Sequence, residues 1–197
     1  MNHKFLGMVA ALWLLVLPAQ PAWGGDRVVL PGLMPPVVLT LSPLGRLPAN
    51  QRLELAIGLS LRNQPALTAK LRDIYDVTST NYHRYLTTKE FTANFGPTEA
   101  DYQKVLAFAR SNGWLIVRTY ENRQLVDVSA TVAAIDKAFQ ITLFSYQHPT
   151  EHRLFYAPAA APTIPTGVPI LSVAGLNNYE LPHPALRPQS KLPGNRN

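Results

Sequence analysis

Between positions 53 and 61, leucine or isoleucine occupies every second position, and small or polar residues lie between them. An apolar period of two is typical of a β-strand that buries one face, because successive side chains point to opposite sides of a sheet. Gly58 lies on the other face, where it either weakens the strand or lets a neighbouring segment approach closely. The chain therefore contains a sheet with one buried face.

Helical patterns follow this strand. Pro65 suits the first turn of a helix. Leu67, Leu71 and Ile74 then recur at helical spacing, which predicts a helix to about Tyr75. Residues 76–95 mix aromatic and polar side chains, so we expect turns and short helical pieces there.

A second helix start precedes a hairpin. Thr98 followed by Asp101 resembles a capping box, in which each side chain satisfies the other's free backbone N–H, and Asn112-Gly113 supplies a left-handed stop. Residues 114–120 and 125–128 are strand-like and close enough in sequence to pair.

A shorter helix and another hairpin complete the pattern. Val132, Ile135 and Phe139 mark the helix, capped by Ser129 or Thr131, and strands are expected at 141–146 and 154–156. The order is strand, helices, strand, strand, helix, strand. It predicts an α+β fold of the ferredoxin-like (split βαβ) type, an antiparallel sheet with helices on one face. The other face either docks a partner or is simply polar.

The first 24 residues have the layout of a secretory signal. Lys4 precedes an uncharged apolar run at 5–17, and Ala22-Trp23-Gly24 offers small residues at a cleavage site. We expect a signal peptide at 1–24 and a secreted (extracellular or periplasmic) protein, with no membrane association after cleavage. The alternative is an uncleaved N-terminal anchor.

Composition divides the remainder into three parts. Residues 25–50, rich in Pro, Leu and Val, are interpreted as an irregular lead-in, 51–180 as the α+β domain, and 181–197 as a Pro-rich basic tail. The net charge is +6, and the residues after Glu180 include no acid. Because the basic residues there form no run with interleaved aromatics, an acidic protein partner fits better than nucleic acid or an anionic membrane.

The sequence lacks the residue patterns that several kinds of catalytic, metal and nucleotide-binding site require. The sequence has no cysteine, which excludes Cys-based metal or nucleophile chemistry, and it has no G-x-S-x-G, G-x-G-x-x-G or Walker pattern. His148-Pro149-Thr150-Glu151-His152 matches H-x-x-E-H, but a zinc site needs both histidines on one helix. Between two strands this segment is interpreted as a hairpin loop, so no catalytic residue, cofactor or metal is expected.

Carboxylate pairs have a simple structural interpretation. Asp73 with Asp76, and Glu99 with Asp101, are interpreted as helix-surface and helix-start charges rather than as an acid–base pair.

Several segments in the right order resemble the pro-regions of sedolisin- and kumamolisin-type serine-carboxyl peptidases, including their "dp-x-sp-x-Y-x-x-yLt" segment. The resemblance extends over about 51–187 and is carried by Leu71 to Asp76, Ser79 to Thr87, Glu90-Phe91, Phe95 to Thr98, Tyr102, Val105, Asn112-Gly113, Val128 to Ile135, Ala138-Phe139 and Val173 to Asn177.

The resemblance implies an enlarged ferredoxin-like pro-domain. In that family it packs on the peptidase catalytic domain, helps it fold and keeps it inactive, and the following linker runs into the substrate cleft. Leu186, Arg187 and Pro188 are therefore the expected cleft contacts. The family's catalytic Glu, Asp and Ser belong to a following domain that these residues do not contain, so we expect no protease activity of this chain by itself.

Three functional hypotheses remain open at this point. The first is that the chain is a secreted inhibitor and folding assistant of a sedolisin-type peptidase, acting in trans or on a missing C-terminal part. Alternatively it is a truncated or vestigial precursor, or a secreted recognition domain that uses the same scaffold for another ligand.

Overall fold

The computed structural model describes residues 25–181. Nine strands, four α-helices and one 3-10 turn are present in this part of the chain. The strands are β1 (Arg27–Val29), β2 (Gly45–Arg46), β3 (Arg52–Leu59), β4 (Leu115–Thr119), β5 (Leu125–Thr131), β6 (Leu143–Gln147), β7 (Leu154–Pro158), β8 (Thr163–Pro165) and β9 (Ile170–Ala174). The helices are α1 (Gln64–Tyr75), α2 (Thr88–Phe95), α3 (Glu99–Ser111) and α4 (Val132–Phe139), and the 3-10 turn is Pro36–Thr40.

The main sheet has four strands in the order β4-β5-β3-β9, and every neighbouring pair is antiparallel. β3 is followed by α1 to α3 and the β4–β5 hairpin, and α4 leads on toward β9. This is the split βαβ arrangement, so the predicted ferredoxin-like fold is confirmed. The alternating leucines and isoleucine of β3 are buried, as the period of two predicted.

The strand that completes this sheet differs from the one expected from sequence. The predicted hairpin of residues 141–146 with 154–156 is confirmed as β6 and β7, but these strands pair with β2 in a separate three-stranded sheet, and β9 lies beside β3. The β3–β9 register shifts between Gly58 and Leu59. Because this shift interrupts regular pairing, β9 buries Ile170 and Val173 without the alternation that identifies a strand in sequence.

The segment 25–50, expected to be irregular, contains two short strands and the 3-10 turn. β1 pairs with β8, and β2 forms the edge of the sheet with β6. Leu30 and Leu47 are buried in the main core, and Val38 packs with Tyr146 and Phe155 in a second apolar cluster. These apolar residues are held by strands far along the chain, so local sequence gave no periodic signal for them.

The helix starts follow the predicted chemistry with one difference. α1 begins with Pro65 in its first turn, and Thr131 caps α4 by accepting from the Ala134 N–H. At α3 the Thr98 hydroxyl accepts from the Asp101 N–H, but the Asp101 carboxylate accepts from that hydroxyl (2.7 Å) rather than from the Thr98 backbone. Only half of the predicted capping box is therefore formed there.

The complete capping box lies one helix earlier. Thr87 accepts from the Glu90 N–H, and Glu90 accepts from the Thr87 N–H at 2.9 Å. The predicted stop at the end of α3 is confirmed, because Gly113 has a φ of 71°.

The core lies between the main sheet and the helices α3 and α4. Phe108, Trp114 and Phe139 pack together there, with ring centroids 5.5 Å apart for Phe108 and Trp114 and 5.4 Å apart for Trp114 and Phe139. Burial of such aromatic side chains dominates the stability of a small core. The opposite face of the sheet is open, since Glu54, Ser172 and Ala174 on that face are exposed.

Candidate docking surface and tail segment

The open face of the main sheet is arranged in three rows across the strands. The central row runs from Arg118 through Asp127 and Ala56 to Ala174. A row on one side contains Leu115, Ser129 and Glu54, and a row on the other contains Leu125, Gly58 and Ser172. Small side chains in the middle of the face leave a shallow depression, lined by Glu54, Leu55, Ala56, Val117, Arg118, Asp127, Ala174 and Gly175.

Two glycines allow β3 and the β9 segment to come close. A Cβ on Gly58 would lie 2.5 Å from the Ser172 hydroxyl oxygen, so the close approach suggested by the sequence is the correct alternative. Gly175 has a φ of 93°, and a Cβ there would collide with the Glu54 carbonyl oxygen. Glycine is required at position 175, where the contact is with backbone at a positive φ, whereas the Ser172 side chain could rotate away from a Cβ at position 58.

Polar groups on the β4–β5 side of this face are held by local contacts. Tyr120 donates a hydrogen bond from its hydroxyl to Asp127 (2.8 Å), and the Arg118 guanidinium lies 6.0 Å from the Tyr120 ring centroid. Arg52 donates to the Ser129 carbonyl (2.9 Å) at the other end of β5. The face therefore presents preorganised charges beside a small-residue depression.

Exposed apolar side chains border the depression. Leu115 is 61% exposed, Val117 is 52% exposed and Leu125 is 40% exposed, and all three belong to the β4–β5 hairpin. β4 is also an edge strand, paired only with β5 within the sheet. Exposed apolar residues near fixed charges are typical of protein-binding surfaces.

The segment that leads into the tail is attached to the β6–β7 hairpin. Arg153 donates to the Asn178 carbonyl at 2.8 Å and also to the Tyr179 carbonyl. Asn178 accepts from the Tyr156 N–H (2.6 Å) and donates its own N–H to the Tyr156 carbonyl (3.2 Å). The chain therefore leaves the domain from a defined position. The expected cleft contacts Leu186, Arg187 and Pro188 lie outside the described residues.

The H-x-x-E-H segment forms the loop between β6 and β7 rather than a helix. His148 is buried, whereas His152 is exposed. Across residues 25–181 no group of three or more His, Asp or Glu side chains is placed to hold a metal ion. The loop geometry is that of a polar turn packed on the hairpin.

The carboxylates that were interpreted as structural do hold local turns. Asp73 accepts from the Ser79 hydroxyl and from the Asn81 amide (2.6 Å), and these bonds hold the pKa of Asp73 below its ordinary value. The Thr78 hydroxyl and N–H likewise lower the pKa of Asp76. Asp73 and Asp76 thus order the turn after α1, a role finer than the helix-surface charge predicted from sequence.

The two carboxylates in the first turn of α3 are also held by local hydrogen bonds. Asp101 accepts from the hydroxyl of Thr98, which lowers the pKa of this carboxyl, and Lys104 pairs with it at 3.1 Å. Glu99 accepts from Gln103 at 2.8 Å. Both acids lie at the positive end of the helix dipole, as the sequence predicted.

Sequence reasoning missed three features of the site. These are the closing strand β9, the charged row on the open face, and the contacts that attach Tyr179 to the β6–β7 hairpin. Each joins residues far apart in sequence, so no local spacing could indicate them.

None of the helices in residues 25–181 has the length and apolar character needed to cross a membrane.

Fold and surface together define a ferredoxin-like α+β domain with helices on one face, an open sheet face and a C-terminal segment that exits at a fixed point. The family profile "Pro-kumamolisin, activation domain" matches residues 41–179. The chain therefore belongs to this family, the non-catalytic pro-region of sedolisin-type peptidases.

Curated relatives agree with this assignment. The chain is 29% identical to sedolisin of Pseudomonas sp. (strain 101) over 148 residues, 74% of this chain and 25% of that protein. It is 28% identical to xanthomonalisin of Xanthomonas sp. (strain T-22) over 70% of this chain and 17% of that protein. It is 30% identical to physarolisin of Physarum polycephalum over 54% of this chain and 18% of that protein. The matches span a quarter or less of these relatives.

Proposed function

We propose that the protein binds the catalytic domain of a sedolisin-type peptidase and acts as its inhibitor and folding assistant. The catalytic domain is either a separate chain or part of the same precursor, and the protein has no catalytic activity by itself. The observation that carries this proposal is the open face of the main sheet in a member of an activation-domain family.

The open face supports docking by its shape and its chemistry. The depression around Ala56 and Ala174 accepts protruding side chains, and the exposed Leu115 and Leu125 supply apolar contact at its border. Glu54 and Arg118 provide charges of both signs, which would fix the orientation of the partner more than the affinity.

The tail is proposed to enter the substrate cleft, with Leu186, Arg187 and Pro188 as contacts. It would start from the anchored segment at Asn178 and Tyr179, which positions its origin relative to the open face. Prolines at positions 182, 184, 188 and 193 favour an extended, stiff chain, which lowers the entropy cost of binding.

Inhibition assays test both parts of the proposal. The full chain and a version terminated after Glu180 are titrated against a mature sedolisin-type peptidase. We expect inhibition by the full chain and weaker inhibition without the tail. No inhibition of any such peptidase by the well-folded chain would contradict the proposal and turn the search to another ligand by pull-down.

A matched pair of substitutions tests the docking face. Ala174→Arg places a long charged side chain in the central row, and Ala100→Arg makes the same change at an exposed position on α3, on the helical side. We expect Ala174→Arg to weaken inhibition at least about tenfold and Ala100→Arg to leave it unchanged. Equal inhibition by both variants would exclude the open face as the docking surface.

Folding assistance is tested separately, by the yield of active peptidase after refolding. Denatured peptidase catalytic domain is refolded with and without the protein, and the recovered activity is measured after removal of the protein at low pH. We expect a higher yield with the protein present. The same Ala174→Arg variant should lose this effect if docking and folding assistance use one surface.

Acid release is part of the proposal. The net charge of +6 favours an acidic partner surface, and protonation of the partner's carboxylates would weaken the interface. We expect the complex to be weaker at about pH 3 than at about pH 7. Unchanged binding over this range would contradict it.

Secretion through a cleaved signal peptide at 1–24 is also proposed, on the basis of the apolar run and the small-residue site. N-terminal sequencing of the exported protein should begin near Gly25. Recovery of the protein in the membrane fraction with Met1 intact would favour the N-terminal anchor.

A further inference from the structure

His148 is a buried titratable side chain that the proposed docking surface does not use. Its side chain is 4% exposed. Nδ1 accepts hydrogen bonds from the backbone N–H of Glu151 (3.0 Å) and of Thr150 (3.3 Å), and the Thr150 hydroxyl lies 3.4 Å away. Because Nδ1 faces two N–H donors, this geometry fits the tautomer in which Nδ1 is an acceptor and the ring hydrogen is on Nε2.

Nε2 faces an ion pair that reaches the tail segment. It lies 3.4 Å from Glu151 Oε1, and the other oxygen of this carboxylate accepts from Arg153 Nε at 2.5 Å. The Arg153 guanidinium in turn donates to the carbonyls of Asn178 and Tyr179. The turn at 148–151 therefore positions the arginine that holds the start of the tail.

The imidazole also contacts the tail segment directly. It stacks on the Tyr179 ring with centroids 4.8 Å apart and an interplanar angle of 21°. The Phe155 ring packs edge-on against the imidazole at 5.8 Å. Glu180 and Leu181 line the same surface cavity as His148.

Protonation of this ring would oppose the observed geometry. A hydrogen on Nδ1 would point at two backbone N–H groups and remove the acceptor that both use. Of the charged and titratable groups around the ring, Glu151 favours an imidazolium and Arg153 disfavours it, with Tyr179 and Glu180 on the tail side. Because Glu151 offers Oε1 to Nε2 and Oε2 to Arg153, this carboxylate can serve both groups, and the cost of protonation is the loss of the Nδ1 acceptor.

We propose that His148 is a pH-sensitive latch on the start of the tail. Protonation opens the turn at 148–151 and releases Tyr179 to Leu181, whereas Asn178 stays in place through its two hydrogen bonds to Tyr156. Imidazole suits this role because its charge changes in the mildly acidic range. The consequence, withdrawal of the tail from a peptidase cleft in acid, rests on the proposed function, but the latch itself does not.

Residue-resolved hydrogen exchange on the full chain, without any peptidase, tests the latch. Rates are compared at about pH 7.5 and about pH 4.5 after correction for intrinsic exchange. We expect the amides of residues 149–151 and 179–181 to lose protection about tenfold on acidification, as local opening without global unfolding requires. The amides of Asn178 and of β9 should keep theirs. Unchanged protection at 149–151 and 179–181 would overturn the proposal.

A matched pair of variants assigns the effect to His148. In His148→Asn the side-chain oxygen can accept from the same N–H groups without titrating, so the pH dependence at 179–181 should disappear. His152→Asn removes an exposed histidine of the same loop and should keep the full pH dependence. The opposite pattern would overturn the latch.

A wild-type measurement covers the case in which His148→Asn fails to fold. The NMR chemical shifts of the His148 ring and of the Tyr179 ring are followed across the same pH range. The two titration curves should share one midpoint, because one proton controls both groups. Separate midpoints, or a Tyr179 ring that does not respond, would overturn the proposal without reference to inhibition.

Discussion

The Tyr102 hydroxyl on α3 accepts a hydrogen bond from the Tyr120 N–H at 3.0 Å and donates one to the Leu125 carbonyl at 2.9 Å. These two backbone groups lie on either side of the turn that joins β4 to β5. Tyr102 is 4% exposed, and burial raises the pKa of its hydroxyl. One helix side chain therefore attaches the hairpin that carries much of the open face.

Tyr102→Phe tests this attachment. The substitution leaves one backbone N–H and one carbonyl of the hairpin without their partner, so we expect a loss of about 1–3 kcal/mol in the free energy of unfolding. Tyr120→Phe is the control, because it removes only the half-buried hydrogen bond to Asp127 and should cost less. Urea denaturation measures both. Equal losses would show that Tyr102 does not have the special role assigned here.

Gly175→Ala tests the close contact between β3 and the β9 segment. A methyl group there would meet the Glu54 carbonyl oxygen and would also require a φ near 93°. We expect a loss of about 3 kcal/mol or more. Gly113→Ala, at a φ of 71° with open space around it, should cost about 1–2 kcal/mol. Thermal or urea denaturation that ranks the two variants the other way would contradict the contact.

Thr87→Ala tests the capping box of α2. The variant loses the acceptor for the Glu90 N–H, and we expect about 1 kcal/mol of destabilisation with faster hydrogen exchange in α2. Thr88→Ala, an exposed neighbour whose side chain does not cap the helix, should change stability little.

The same box predicts a pH effect. The Thr87 N–H and hydroxyl hold the pKa of Glu90 below its ordinary value. A lowered folded-state pKa stabilises the helix above the unfolded-state value, and this contribution is lost as the pH falls through the folded-state value. Thr87→Ala should therefore reduce the pH dependence of α2 protection in acid. An unchanged dependence would show that the Thr87 hydroxyl does not affect Glu90, because the variant keeps the N–H of residue 87.

Asp136 makes the stability of the fold depend on pH in the opposite direction to Glu90, and Asp136→Asn tests this. Burial raises the pKa of Asp136 despite the hydrogen bond from the Leu143 N–H (3.2 Å) and the nearby Arg46. The folded state therefore favours the protonated acid, and the stability that this provides at low pH is lost as the pH rises through the folded-state value. Asparagine keeps the acceptor oxygen without the charge.

We accordingly expect Asp136→Asn to be at least as stable as the wild type at about pH 7.5 and to lose that advantage at about pH 3.5. Urea denaturation at the two pH values checks this. Asp26→Asn makes the same change at an exposed position and is the matched control. A variant of Asp136 that is less stable at the higher pH would contradict the burial argument.

Much of the fold could be predicted because its signals are local. The alternation at 53–61 identified β3 and its buried face, Thr131 was one of two predicted caps of α4, and Gly113 ended α3 as expected. Strand pairing depends on contacts between distant residues, which no window of sequence contains. The hairpin of 141–146 with 154–156 was therefore predicted correctly, but its place in a separate sheet and the strand β9 were missed.

The candidate site divides in the same way. The open sheet face followed from helices on one side, and the H-x-x-E-H segment was correctly interpreted as a hairpin loop. The cleft contacts Leu186, Arg187 and Pro188 stay predictions. The link from His148 to Tyr179 had no sequence signal, because the two rings meet only after the tail segment packs on the hairpin.

The sequence by itself determined the type and order of most elements, one buried sheet face and the family resemblance, because apolar periodicity, capping residues and glycines act over a few neighbouring positions. Tertiary structure alone decided that β9 closes the sheet, that Arg118, Asp127, Ala56 and Ala174 share one row, and that Arg153 holds the start of the tail. These arrangements depend on a bulged register and on packing between segments far apart in the chain. Such choices minimise the free energy of the whole domain rather than of any one segment.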